Sequence, residues 1–155
     1  MLFRSPHLRR AFFHALLPDA DFASAFLTGG AGALTQRLYR ACFPLVRAAM
    51  RVDMRIDDAG AALGRQKIGA ALDRIRAELR PSGYLVGAGF TVADLTAAAL
   101  LYPLVQPPEA PYRLERSLPP AAAELRATFV PHPAFAWAAG IYRRHRGTSA
   151  AVAEH

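Results

Sequence analysis

The sequence predicts an all-α domain, a helical bundle of about five to six helices. Apolar side chains recur every three or four residues in almost every segment, and none shows the alternation typical of a strand. Prolines and glycines separate these segments, as helix ends require. With 155 residues, 53% of them hydrophobic, the chain can form one domain with a buried core that needs neither disulfides nor a structural metal.

The first segment is basic and apolar. Residues 1–18 contain three arginines and no acidic residue, a composition that resembles a transit peptide. Leu8, Phe12 and Leu16 nevertheless share one helical face, which favours a first helix over residues 6–17 that the next residue, a proline, ends. Apolar residues then continue to a glycine-rich break at 29–32.

A second, long helix is predicted from Ala33 to Val52, bent at Pro44. Six residues at helical spacing are expected to face the core: Leu34, Leu38, Cys42, Leu45, Ala49 and Val52. Because Cys42 lies among apolar neighbours, we expect it to be a small buried hydrophobe rather than a reactive thiol.

A third helix is predicted from Ala59 to Leu79, with Asp57 or Asp58 as its cap. Its inward residues follow a 4-3-4 spacing, and they are Ile68, Leu72, Ile75 and Leu79. The charged residues between them are expected to face water.

The sharpest local pattern begins the fourth helix. Thr91 and Asp94 stand at the two positions of a capping box, with Asp in place of the usual Glu or Gln. Phe90 and Leu95 stand at the two positions of a hydrophobic staple. The helix that follows, to about Leu104, is apolar on all sides, which predicts the central core helix.

The C-terminal part contains a proline-rich loop and two shorter helices. Residues 106–120 contain five prolines, which predict an extended surface loop. Helices are then predicted over 120–129 and 133–146, the last with Trp137, Ala138, Ile141 and Tyr142 inward. We expect residues 1–147 to form the domain and residues 148–155 to form a flexible tail.

The line SGYLVGAGFTVADLTAA, residues 82–98, resembles the segment that marks the C-terminal helical domain of glutathione S-transferases. That segment has a Tyr-Leu-Val-Gly turn, an aromatic residue, a Ser or Thr cap and Ala-Asp. Further pieces resemble bacterial members of the family, namely residues 6–10, 72–75, 107–109, 132–137 and 142–147. Residues 6–10 resemble the interior of that domain's first long helix.

The resemblance implies a cytoplasmic detoxification enzyme. The parent activity would be a transferase reaction, conjugation of glutathione with a hydrophobic electrophile, or glutathione-dependent reduction of one. Glutathione is the family's co-substrate, but it is not expected to bind this chain alone, because the sequence contains no pattern of the thioredoxin-like domain that supplies most of its site. We therefore expect a truncated or stand-alone helical domain. The alternative is a non-catalytic interaction module, like the similar domains attached to translation factors and aminoacyl-tRNA synthetases.

The resemblance also suggests where ligands and partners bind. The family's first helix helps to line the pocket for the electrophile, and Arg10, Phe13, His14 and Leu17 share one face of this helix. The alternative is that Phe13 and Leu17 belong to the core and that Arg10 and His14 are solvated. Without a thioredoxin-like domain, four side chains are expected to be uncovered and to drive homodimerisation: Phe12, Phe13, Leu16 and Leu17.

Other chemistry finds little support in the sequence. The five histidines lack the spacing of a metal site, and no residue stands out as catalytic. The glycine-rich run at 29–32 lacks the Lys-Ser or Lys-Thr of a phosphate loop, and is interpreted as a helix connection. The net charge of +7 and the spacing of Arg40, Arg47, Arg51 and Arg55 could suit the phosphates of a nucleic acid, but no aromatic stacking platform or recognition motif accompanies them, so a nucleic-acid partner is not expected. The longest apolar stretch is too short to span a membrane.

Overall fold

A computed structural model describes residues 6–29, 31–109 and 117–147. Within these ranges the chain forms seven helices and no strand. The helices are α1 Pro6–Leu16, α2 Ala20–Leu27, α3 Ala33–Asp53, α4 Asp58–Glu78, α5 Val92–Val105, α6 Pro120–Phe129 and α7 Pro133–His145. The all-α prediction is therefore confirmed. The predicted tail, and part of the proline-rich loop, lie outside the described residues.

Helix α1 occupies the centre of the core. It packs against α4 along most of its length and against α6 on another side. The apolar residues expected to be uncovered are instead at most 4% exposed: Phe12, Phe13, Leu16 and Leu17. The prediction that this face is open for dimerisation is wrong, because helices of the same chain cover it.

A close approach of backbones fixes α1 against α4. A Cβ atom built on Gly64 would lie 2.5 Å from the carbonyl oxygen of His7 and 3.0 Å from the Cβ of Ala11. No side chain fits in that space, so a glycine is needed where the two helices touch.

Helix α5 is not the central helix that its composition predicted. Its second half is buried, but its first half exposes Val92 and Leu95 at 76% and 54%. It packs mainly on α7, and the centre that it was expected to fill is taken by α1.

Helix α3 presents the opposite face to the core from the one predicted. The side chains of Leu34, Leu38, Leu45 and Val52 are 61% to 81% exposed, and Cys42 is exposed as well. Phe43, 1% exposed, is buried instead, with Tyr39 and Met50 packed against the core on the same side. The prediction that Cys42 is a core hydrophobe is therefore wrong. The apolar residues do share one face of α3, but that face is the outer one. The inner face carries the larger side chains of Phe43, Tyr39 and Met50.

Helices α4, α6 and α7 begin as their sequences predict. The carboxylate of Asp57 caps α4 by accepting a hydrogen bond from the backbone N–H of Gly60 at 2.6 Å. Ile68 and Leu72 are buried, as expected, and Ile75 and Leu79 are half-buried. In α7, Trp137 is buried and its indole N–H donates to the carbonyl of Gly83 at 3.0 Å, which ties α7 to the turn before α5.

Candidate functional site

An apolar cavity of about 420 Å³ lies between α1, α4 and α5. This volume falls within the range of small-molecule sites in proteins. Its walls are aliphatic: Leu8, Ile68, Ala71, Ile75, Leu85, Ala97, Leu100 and Leu101. Four polar or charged residues complete the lining: His7, Lys67, Arg74 and Glu78. The cavity can therefore take an apolar body that carries a polar group.

Helical spacing explains how these walls form. On α4 the lining residues recur at intervals of three or four, so that they share one face, and Ala97, Leu100 and Leu101 do the same on α5. Near Gly64, α1 and α4 touch. The small side chains of Ala71 and Ala97 leave the space between α4 and α5 unfilled.

The charged part of the lining carries one ion pair. The Nε of Arg74 donates to a carboxylate oxygen of Glu78 at 2.7 Å, one helical turn away. This hydrogen bond, together with the carboxylate charge, raises the pKa of Arg74. Among the described residues, Lys67 has no carboxylate within 4.0 Å, and the Nδ1 of His7 is shielded from solvent without a hydrogen-bond partner.

Asp94, at the start of α5, connects two walls of the cavity. Its carboxylate accepts hydrogen bonds from the backbone N–H of Leu85 at 2.8 Å, from the backbone N–H of Thr91 at 2.9 Å and from the Thr91 hydroxyl at 2.7 Å. Both halves of a capping box are present. The carboxylate thus fixes the start of α5 and also the turn that carries Leu85 into the cavity wall.

The charge of Asp94 is stabilised although its side chain is fully buried. Burial alone raises the pKa of a carboxyl group, but the hydrogen bonds from Leu85 and Thr91 outweigh burial and hold the pKa of Asp94 below its ordinary value. Asp94 is therefore an anion whose donors are all protein groups, which is the arrangement of a structural rather than a reacting carboxylate.

A family model named glutathione S-transferase, C-terminal domain, matches residues 46–140, more than half of the chain. The match contains α4, the capped turn and α5. The chain belongs to this family. Comparisons with curated proteins and with solved structures gave no match. The resemblances noted for residues 6–10 and 142–147 lie outside the matched range, and they stay predictions.

In this glutathione S-transferase C-terminal domain, the four residues assigned to a substrate pocket are separated from the cavity. Phe13 and Leu17 are buried in the core. The Nε of Arg10 donates to the carbonyl of Met54 at 2.9 Å, and the Nε2 of His14 lies 2.9 Å from a carboxylate oxygen of Asp58. None of the four lines the cavity between α1, α4 and α5, and their role in binding stays a prediction.

Sequence reasoning missed this cavity because its lining comes from three separate helices and the turn before α5. The only local signals are small residues, Ala71 and Ala97, at positions facing other helices, and a lone lysine, Lys67, on the same face of α4. Neither signal reveals that α1, α4 and α5 meet there.

A second, smaller cavity of the glutathione S-transferase C-terminal domain, about 100 Å³, lies between the start of α5 and the end of α7. Phe90 and Leu95, at the two staple positions, both line it. The ring of Phe90 stacks on His145 with centroids 4.1 Å apart and an interplanar angle of 10°. Burial raises the pKa of the neighbouring Tyr142 hydroxyl, so this hydroxyl stays protonated.

The described residues contain no group of three or more His, Cys, Asp or Glu side chains placed to hold a metal ion. No helix among them has the length and apolar character needed to cross a membrane.

Proposed function

We propose that this chain is the helical domain of a glutathione S-transferase-like protein, and that the cavity between α1, α4 and α5 holds a hydrophobic substrate for glutathione conjugation or glutathione-dependent reduction. The observation that carries the proposal is an apolar cavity of about 420 Å³ in a domain of this family. The ligand is an apolar molecule, because eight aliphatic residues form the walls.

The polar part of the lining orients that ligand. Arg74 is already paired with Glu78, whereas Lys67 keeps its charge available. A ligand with an anionic or electron-rich end therefore gains a favourable charge interaction at Lys67 when its apolar body enters the cavity.

The chemical step requires groups that the described residues do not supply. Glutathione attacks as a thiolate, so a neighbouring group must lower the pKa of its thiol. Among the described residues, no tyrosine, serine or cysteine lines the cavity. We therefore expect this chain alone to bind the hydrophobic ligand but not glutathione.

Titration with 1-anilinonaphthalene-8-sulfonate, an apolar fluorescent anion, tests the site. We expect saturable binding to the chain, and at least tenfold weaker binding to Ala71→Trp, whose indole fills the cavity. Ala70→Trp is the matched control, because Ala70 is exposed on the same helix and does not line the cavity. Equal binding to both variants would contradict the assignment of the cavity.

Two experiments test the expectation that this chain alone does not bind glutathione or activate its thiol. They are calorimetric titration with glutathione and a conjugation assay with a general aromatic electrophile. We expect no heat of binding and no rate above that of the uncatalysed reaction. A measurable enzymatic rate would show that this chain activates the thiol by itself.

A non-catalytic interaction module is the second candidate, and the exposed apolar face of α3 favours it. Homodimerisation through α1 has lost its basis, because the α1 side chains expected to drive it are buried. Self-association would have to use a different surface.

A further inference from the structure

One helix of the domain carries an apolar face that no other part of the described chain covers. On α3, six apolar residues alternate at intervals of four and three: Leu34, Leu38, Ala41, Leu45, Ala48 and Val52. We call these six residues the α3 stripe. All are exposed, and the four larger ones are 61% to 81% exposed. Spacing of this kind has the period of a coiled-coil seam, about 3.5 residues.

The α3 stripe faces away from the core. Phe43, on the opposite side of the helix, is 1% exposed and anchors α3 to the rest of the domain. Helix α3 packs mainly on α2, and the stripe residues stay exposed along the helix. An exposed apolar surface that extends along a helix of 21 residues, about 30 Å, marks an interaction site rather than a scatter of single surface residues.

Positive charge borders the stripe on one side. Arg37 and Arg51 stand at the positions directly before Leu38 and Val52, and Arg47 lies further around the same side. None of these three arginines has a carboxylate within 4.0 Å among the described residues. Arg40 differs, because Asp21 of α2 pairs with it at 2.6 Å. Arg55 lies beyond the end of α3, so it does not belong to this border.

We propose that the α3 stripe docks an acidic amphipathic helix of a partner protein. Leucines of the partner would pack on the stripe, and its acidic residues would pair with Arg37 and Arg51. A second copy of this chain, docked antiparallel, fits less well. If two copies paired antiparallel about a two-fold axis, the arginine border of one would face the arginine border of the other, and like charges at such positions repel. This inference is independent of the cavity and of the proposed catalytic role.

Cys42 makes the proposal directly measurable. It is the only cysteine in the chain, it is exposed, and it follows Ala41 of the stripe. A helix docked on the stripe would shield it. The probe is a synthetic peptide of about three heptads with Leu at its seam positions and Glu at the flanking positions, and a peptide with Lys at those flanking positions is its counterpart. Binding is followed by fluorescence anisotropy of labelled peptide, and by the rate at which a maleimide modifies Cys42.

We expect the Glu peptide to bind at least tenfold more tightly than the Lys peptide, and to slow modification of Cys42. Leu38→Ser with Leu45→Ser should abolish binding of the Glu peptide. Arg37→Glu with Arg51→Glu should invert the preference, so that the Lys peptide binds more tightly. Since the stripe and its border are exposed, these variants should fold as the parent does, which circular dichroism checks.

Two variants at exposed residues on other helices serve as matched controls. Val92→Ser removes an exposed apolar residue of α5, and Arg65→Glu reverses an exposed charge of α4. Both should leave peptide binding unchanged. Equal affinity for the two peptides, or binding that survives loss of Leu38 and Leu45, would overturn the proposal. It would also be overturned if neither peptide bound and sedimentation showed a dimer that Leu45→Ser dissociates, because the occupant would then be a second copy.

Discussion

The carboxylate of Asp94 accepts a hydrogen bond from the backbone N–H of Leu85, 2.8 Å away. Leu85 lines the cavity, and α5, which begins beside Asp94, supplies Ala97, Leu100 and Leu101 to the same cavity. One buried carboxylate therefore holds two cavity walls in register. Its contribution extends beyond the capping of a helix.

This double role predicts unequal costs for the two residues of the capping box. Thr91→Ala should lower the free energy of unfolding by about 1 kcal/mol, the usual value of a cap. Asp94→Ala should cost about 3 kcal/mol, because it leaves the N–H groups of Leu85 and Thr91 without their charged acceptor. Urea unfolding measures both values. The double variant should cost less than the sum, since the two side chains interact directly. Asp53→Ala, at an exposed position, should leave the free energy of unfolding almost unchanged. An equal loss of stability in Asp94→Ala and Asp53→Ala would contradict the role of Asp94.

The depressed pKa of Asp94 predicts how stability depends on pH. An unfolded aspartate has a pKa of about 3.9, and the folded value is lower. Between the two values the unfolded state binds more protons, so stability rises with pH. The contribution of Asp94 is therefore complete above about pH 5 and is lost as the pH falls through the folded-state pKa. Urea midpoints of the parent and of Asp94→Asn, measured from pH 6 downwards, should converge at acidic pH. A constant difference at all pH values would rule out the charge of Asp94 as its source.

Two glycines of α4 should respond oppositely to the same substitution. Gly64→Ala should destabilise the domain by about 1 to 3 kcal/mol, because the new Cβ would lie 2.5 Å from the carbonyl oxygen of His7. Gly69→Ala, whose Cβ would meet only Phe129 at 4.0 Å, should stabilise the domain by about 0.5 to 1 kcal/mol through helix propensity. Thermal unfolding of the two variants checks the pair. Similar shifts of the unfolding temperature in both variants would mean that α1 does not pack on Gly64.

The orientation of α3 predicts a contrast between Phe43 and Leu45. Phe43→Ala should cost about 3 to 5 kcal/mol, since Phe43 is 1% exposed. Leu45→Ala should change stability by less than about 0.5 kcal/mol, because Leu45 is 75% exposed. Denaturant unfolding measures the two changes. If Leu45→Ala lost more stability than Phe43→Ala, Leu45 would face the core, as the sequence pattern predicted.

Local signals in the sequence located most of the helices. Pro120 and Pro133 mark the starts of α6 and α7, and Asp57 caps α4. These predictions succeed because a cap, a proline or a glycine acts on the few residues beside it in the chain. The candidate site was not predictable in the same way. Its walls come from α1, α4, α5 and the turn that contains Leu85, and no local pattern records that these parts of the chain meet.

The sequence by itself determined that the domain is helical, where most of its helices lie, and that a capped turn of this family precedes α5. Only the tertiary structure decided which helix takes the centre and which face of α3 meets the core. The physical reason is that hydrophobic burial has no direction of its own. Apolar residues at helical spacing show that one face of a helix is suited to burial. The surrounding helices decide whether that face is buried in the chain's own core. In α1 they cover the apolar face, and in α3 they leave it exposed.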